Sequence, residues 1–160
     1  MANMGDNRAA LDLKVPPVAV VILFAVVMVC MARLLPRLSF VFPGRLVVAI
    51  AITLAGVVIS LAGILAFRQH RTTVNPLNPE AATAIVTTGM YHFTRNPMYV
   101  GFTLILAGWA TFLANLGATL VLPICVFYLT QFQIKLEERM LLKKFGEPFA
   151  DYMAKVRRWV

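Results

Sequence analysis

Leu46-Val47-Val48-Ala49-Ile50-Ala51-Ile52-Thr53-Leu54-Ala55-Gly56-Val57-Val58-Ile59-Ser60-Leu61-Ala62-Gly63-Ile64-Leu65-Ala66-Phe67 is a run of 22 residues without a charged side chain, closed by Arg45 on one side and Arg68 on the other. An α-helix of that length measures about 33 Å at a rise of about 1.5 Å per residue, matching a hydrocarbon core of about 30 Å. In lipid every backbone N–H and C=O needs a partner within the protein, which a helix supplies from its own segment. The stretch therefore reads as a membrane-crossing helix and sets the class as all-α.

Working outward, three more apolar runs have comparable character: Pro17 to Leu35, Met98 to Leu113 and Leu116 to Phe132. The last two are joined only by Ala114-Asn115, which demands a tight antiparallel hairpin. The first run continues past signal-peptide length without a small-residue cleavage site, and we read it as a retained span. The expectation is about four transmembrane helices, and residues 1–160 form a single domain. Composition agrees: 60% of the 160 residues are hydrophobic, 14% are charged, and mean hydropathy is +0.79. A soluble domain does not reach this balance.

The net charge of +8 comes from 15 Lys+Arg against 7 Asp+Glu. The apolar runs leave no hydrated basic face to lie along a duplex, so no nucleic acid partner is expected. Membrane topology accounts for the excess instead. With four spans, twelve basic residues fall on the side of the termini, against Arg33, Arg37 and Arg45 on the other. This asymmetry predicts that both termini and the loop from Arg68 to Asn96 face the cytoplasm. Within that loop, Asn75-Pro76-Leu77-Asn78-Pro79 holds two Asn-Pro turn signals. Cys30 and Cys125 lie inside apolar runs and have no metal-ligand spacing, so no metal is expected.

Polar chemistry concentrates in two places. The first is Thr88-Gly89-Met90-Tyr91-His92-Phe93-Thr94-Arg95-Asn96-Pro97-Met98-Tyr99-Val100-Gly101. Asn96 followed by Pro97 reads as an N-cap with proline at the first helical position. The exposed N–H groups of that helix start, with Arg95 beside them, suit a carboxylate or phosphate, while Tyr91 and Tyr99 offer aromatic faces. The alternative is that Arg95 snorkels to lipid phosphate and the tyrosines form an interfacial belt. The second place is Gln131 to Leu141, which extends the fourth run out of the membrane as a helix. It carries Glu137 and Glu138, with Gln133 one turn before Glu137. These glutamates either hold an ammonium or ribose hydroxyls, or form a solvated pair in which Glu138 meets Lys135. His70 and His92 are isolated and read as surface groups. Gly56, Gly63, Gly101 and Gly108 suit close helix packing. Pro123 is expected to kink the fourth helix and open a cavity.

Together these segments resemble the integral-membrane methyltransferase family that contains isoprenylcysteine carboxyl methyltransferase and the phospholipid N-methyltransferases. The resemblance spans about residues 67–159. It is carried by Thr83-Ala84-Ile85-Val86-Thr87-Thr88-Gly89-Met90-Tyr91, by Arg95-Asn96-Pro97-Met98-Tyr99-Val100-Gly101, by Glu137-Glu138, and by Phe145-Gly146-Glu147-Pro148-Phe149-Ala150-Asp151-Tyr152. It implies S-adenosylmethionine as cofactor and a membrane lipid or other lipophilic acceptor as substrate. The pocket would be closed by the cytoplasmic loop and a C-terminal helix. The implied cofactor-binding positions are Thr83, Ala84, Ile85, Val86, Tyr91, Asn96, Pro97, Met98, Tyr99 and Glu137, and the reading of the residues themselves adds Arg95 and Glu138 to the expected cofactor site. Gln133 is the implied substrate position, where the isoprenylcysteine branch places an arginine; that branch also has His where this chain has Asn96. Two other classes stay open at this point: a sterol-type membrane reductase using NADPH, and a structural membrane protein without activity.

Overall fold

A computed structural model describes residues 15–69 and 82–160. The Asn-Pro turns of residues 75–79 and His70 lie outside the described residues. Among the described residues six α-helices follow in order: α1 (Pro17–Leu34), α2 (Arg45–Gln69), α3 (Pro97–Leu113), α4 (Leu116–Leu129), α5 (Lys135–Phe145) and α6 (Glu147–Lys155). A π-turn at Thr130–Ile134 joins α4 to α5 without breaking the helical path. Short 3-10 turns occupy Pro36–Leu38 and Gly89–His92, and no strand forms among the described residues. The protein is an all-α integral membrane protein. α1, α2 and the continuous stretch Leu116–Phe145 are long and apolar enough to cross a membrane, while α3 is apolar but only 17 residues long.

The starts of these helices are written in the sequence. Prolines at the beginning of α1, α3 and α6 occupy positions whose missing N–H has no intrahelical acceptor anyway. The α3–α4 hairpin turns at Ala114, whose backbone is left-handed (φ 48°), and Asn115 then caps α4 by accepting from the Ala118 N–H at 3.1 Å. The Asn115 amide also donates to the Leu35 carbonyl (2.8 Å) and Ser39 Oγ (3.0 Å), tying the end of α1 to the hairpin.

α2 and α3 pack backbone to backbone. A Cβ on Gly101 would fall on Ser60 Oγ and on the Gly56 carbonyl oxygen, and one on Gly56 would lie 2.6 Å from the Gly101 oxygen. Small-residue seams of this kind let helices approach where lipid offers no hydrophobic gain for association. On the other side of α3, Met28, Leu106, Cys125, Leu129 and Ile134 interlock α1, α3 and α4 into the main core. Pro123 sits inside α4, and neither of the two cavities lined by α3 residues includes it. The space lies instead at the other end of α3.

Candidate active site

The N-terminal turn of α3 meets α5 and α6 around a cavity enclosing about 940 Å³ of empty space, its mouth included. Its apolar wall comes from Phe67 on α2, Phe102 on α3, Leu141 and Phe145 on α5, Phe149 on α6, and Pro17 at the start of α1. Its polar groups are Tyr91, Arg95, Asn96, Tyr99, Glu137, Glu138 and Tyr152. Residues that are far apart in sequence meet here because the hairpin α3–α4 returns the chain beside α3 and the continuous α4–α5 path then carries it on to the cavity.

Tyr99 is buried, and its hydroxyl donates to Glu137 Oε1 at 2.5 Å. Glu138, 6% exposed, lies between two guanidinium groups. Arg95 Nη2 approaches Oε1 at 2.9 Å. Arg158 donates through Nε to both oxygens at 3.1 Å and through Nη2 to Oε2 at 2.6 Å. Burying a carboxylate is costly unless it is paired and hydrogen-bonded, and Glu138 has both. The alternative Lys135–Glu138 pair does not form: Lys135 donates to Gln131 Oε1 at 2.8 Å. Glu138 bends inward, away from solvent, because two stronger planar donors await it there.

Asn96 occupies the N-cap position of α3, but its side chain does not cap. Its Nδ2 donates instead to the Arg158 carbonyl at 2.9 Å, as does Thr94 Oγ1 at 3.2 Å. The Arg95 N–H donates to the Arg157 carbonyl at 3.0 Å. Segment 157–159 thereby straps the approach to α3, and Trp159 Nε1 fastens the strap to Thr130 Oγ1 at 3.2 Å. The first turn of α3 keeps N–H groups without intrahelical acceptors; Val100 is the first residue to donate back, to Asn96. Arg95 Nη1 donates to the Met153 carbonyl at 3.0 Å, and Arg95 Nε is buried with no hydrogen-bond partner among the described residues.

Burial pushes the phenols of Tyr91 and Tyr152 well above their ordinary pKa range, so both are neutral donors. The Tyr152 hydroxyl donates to the Tyr91 carbonyl at 2.6 Å, joining α6 to the turn before α3. Tyr91 meets Phe67 edge-on at 5.1 Å. Hydrogen bonds to Glu138 raise the Arg158 pKa further, holding its guanidinium charged.

Ten of the thirteen sequence-selected positions line the cavity: Ala84, Ile85, Val86, Tyr91, Arg95, Asn96, Met98, Tyr99, Glu137 and Glu138. Thr83, Pro97 and Gln133 do not. Pro97 packs on α2, 3.1 Å from where a Gly63 Cβ would stand. Gln133, itself within the π-turn, is 1% exposed and donates to the Val15 carbonyl at 3.1 Å. His92 is exposed, edge-on to Phe93. Phe149 and Tyr152 were legible only as part of the family motif, and Arg158 carried no signal of its own. No cluster of His, Cys, Asp or Glu capable of holding a metal occurs among the described residues.

The Phospholipid methyltransferase family model matches residues 44–148. An uncharacterized protein of Haemophilus influenzae is 43% identical over 63 residues, covering 39% of this chain and 100% of that protein. The protein-S-isoprenylcysteine O-methyltransferase of Schizosaccharomyces pombe is 33% identical over 72 residues, 45% of this chain and 30% of that enzyme. No solved structure matches.

Proposed function

The chain belongs to the phospholipid methyltransferase family, and on that premise we propose that it transfers the methyl group of S-adenosylmethionine to a lipophilic acceptor at the cytoplasmic membrane face. The observation that carries this reading is one cavity lined both by Arg95, beside the N-terminus of α3, and by the hydrogen-bonded Tyr99–Glu137 pair. A ligand with an anionic end, a cationic centre and a flat apolar ring system suits that set of groups. The α3 N-terminus and Arg95 hold the carboxylate. Glu137, oriented by Tyr99, holds the ammonium or ribose hydroxyls, with Glu138 fixing Arg95 behind it. Ala84, Ile85, Val86, Tyr91, Asn96 and Met98 line the remaining walls, with Thr83 and Pro97 holding the same segments in place.

The cofactor supplies an electrophilic methyl group on a sulfonium. The protein contributes alignment and exclusion of water, to which the aromatic walls Phe67, Phe102, Phe145 and Phe149 are suited. The acceptor reaches the cavity from the bilayer, past Pro17 and Phe102. A neutral or amine head group fits better than an anionic one, because Arg95, the cation that lines the cavity, is already engaged by Glu138 and by the cofactor's carboxylate. Both termini face the cytoplasm, as the distribution of basic residues indicates.

Calorimetry on detergent-purified protein tests the reading. S-adenosylhomocysteine binds and NADPH does not; binding of NADPH with none of S-adenosylhomocysteine transfers the chain to the reductase class, and binding of neither favours a structural role.

A further inference from the structure

The Arg95–Glu138–Arg158 group has an asymmetry that the site description leaves unused. Glu138 and Arg95 line the cavity, whereas Arg158 does not. Two guanidinium groups share one carboxylate, so the group carries a net charge of +1. The shorter contact and the greater number of contacts belong to Arg158, with 2.6 Å at Nη2 against 2.9 Å from Arg95. Without Arg158, Glu138 and Arg95 would close into a neutral pair beside the α3 N-terminus. With it, Glu138 is largely committed to the far side, and the surplus positive charge falls on Arg95, whose Nε stays buried and unpartnered.

We propose that Arg158 is a positioning residue: by occupying Glu138 it leaves Arg95 positively charged toward the cavity, which sets the affinity for the anionic end of the ligand. The proposal rests on the cofactor reading above and adds to it a residue that touches no ligand. Its side chain is separable from its structural part. The strap is built from the main-chain carbonyls of Arg157 and Arg158, which receive Arg95 N–H, Thr94 Oγ1 and Asn96 Nδ2. A side-chain substitution at Arg158 keeps all three. Its side chain is 31% accessible, so the substitution leaves no sealed cavity.

The test titrates the full chain, purified in detergent, with S-adenosylhomocysteine and with its decarboxylated analogue, which keeps the nucleoside, thioether and amine. Arg158→Gln weakens S-adenosylhomocysteine on the order of ten-fold, the scale of one partly buried charge interaction, while the decarboxylated analogue changes less than about two-fold. Arg158→Lys, which keeps the charge on Glu138, recovers most of the loss. Equal weakening of both ligands overturns the proposal and makes Arg158 a brace, and unchanged affinity for both removes the coupling. In those cases wild-type binding of S-adenosylhomocysteine still upholds the cofactor reading. A wild-type protein that binds neither ligand removes that reading and this one with it.

Discussion

The Tyr99 hydroxyl and Glu137 Oε1, 2.5 Å apart, join the first turn of α3 to the first turn of α5 inside one cavity wall. A hydrogen bond to a carboxylate is among the shorter and stronger kinds, and this one fixes which way the carboxylate faces. Tyr99→Phe removes the donor but keeps the ring packed against Phe102. Glu137→Gln keeps the shape and removes the charge. Each is expected to weaken S-adenosylhomocysteine by about ten-fold, corresponding to the loss of one charge-assisted hydrogen bond. Thermal unfolding in detergent stays near wild type. Wild-type affinity in both variants would remove the pair from the site.

Glu138 behaves differently, because it is structural as well as polar. Glu138→Ala leaves Arg95, whose side chain is 9% accessible, facing Arg158 with nothing between them. Breaking a buried ion pair by removing one partner costs about 3–5 kcal/mol. The variant is expected to unfold at clearly lower temperature or denaturant, measured by the loss of helical circular dichroism in detergent. A melting curve superimposable on wild type contradicts the buried triad.

The α2–α3 seam gives a prediction about packing. Gly101→Val places side-chain atoms where Ser60 and the Gly56 carbonyl already stand, and the obstacle is backbone that does not yield. Overpacking costs about 1–3 kcal/mol where side chains can adjust, and more where they cannot. Leu120→Ala, at a position 66% exposed on the outer face of α4, serves as the control with little effect. Equal stability of the two variants would mean that the helices do not meet at Gly101.

What the sequence made legible was local. Apolar runs marked α1 to α4 because lipid leaves a helix as the way to satisfy a lone backbone segment, and Pro97 marked the start of α3. The hairpin at Ala114-Asn115 followed from its shortness. The contacts that organise the site were not legible, because they join positions 95, 138 and 158, and the turn between neighbours gives no hint of them. Helical spacing offered Lys135 as one alternative partner of Glu138, by a rule for exposed surfaces that fails once inward partners exist. Asn96 was read as a capping side chain from its place before Pro97; tertiary context offered its amide the Arg158 carbonyl instead. The π-turn at Thr130–Ile134 carries no strong local signature, since one extra residue in a turn is accommodated by ordinary helix formers. Gln133 lies within it, and its amide turns to the Val15 carbonyl rather than to the cavity.

Topology is tested by single cysteines in a background where Cys30 and Cys125 are replaced. Val41, 88% exposed between α1 and α2, and Ala154, exposed on α6, should label from opposite sides of sealed vesicles. Asn78→Cys should behave like Ala154→Cys. Labelling of Val41→Cys and Ala154→Cys from one side contradicts the orientation drawn from the basic residues.

The last prediction concerns how the acceptor is received. Gln133 Nε2 donates to the Val15 carbonyl, and Pro17, two residues further along, forms part of the cavity wall. The amide is buried and uncharged, so its reach into the site runs through the start of α1 rather than through contact with a head group. Gln133→Leu removes the tether while preserving bulk, and it also removes Oε1, which is buried without a partner among the described residues. The loss of one hydrogen bond is offset in part by the loss of that orphaned acceptor, so the variant remains folded. Pro17 then loses its fixed position. Because Arg95, Tyr99 and Glu137 are untouched, affinity for S-adenosylhomocysteine stays within about two-fold of wild type, whereas the KM for a lipid amine acceptor rises by about three-fold or more. A prenylcysteine carboxylate assayed beside it remains the poorer substrate in both proteins. A variant that loses cofactor affinity while keeping its acceptor KM would place Gln133 on the cofactor side and detach the start of α1 from acceptor binding.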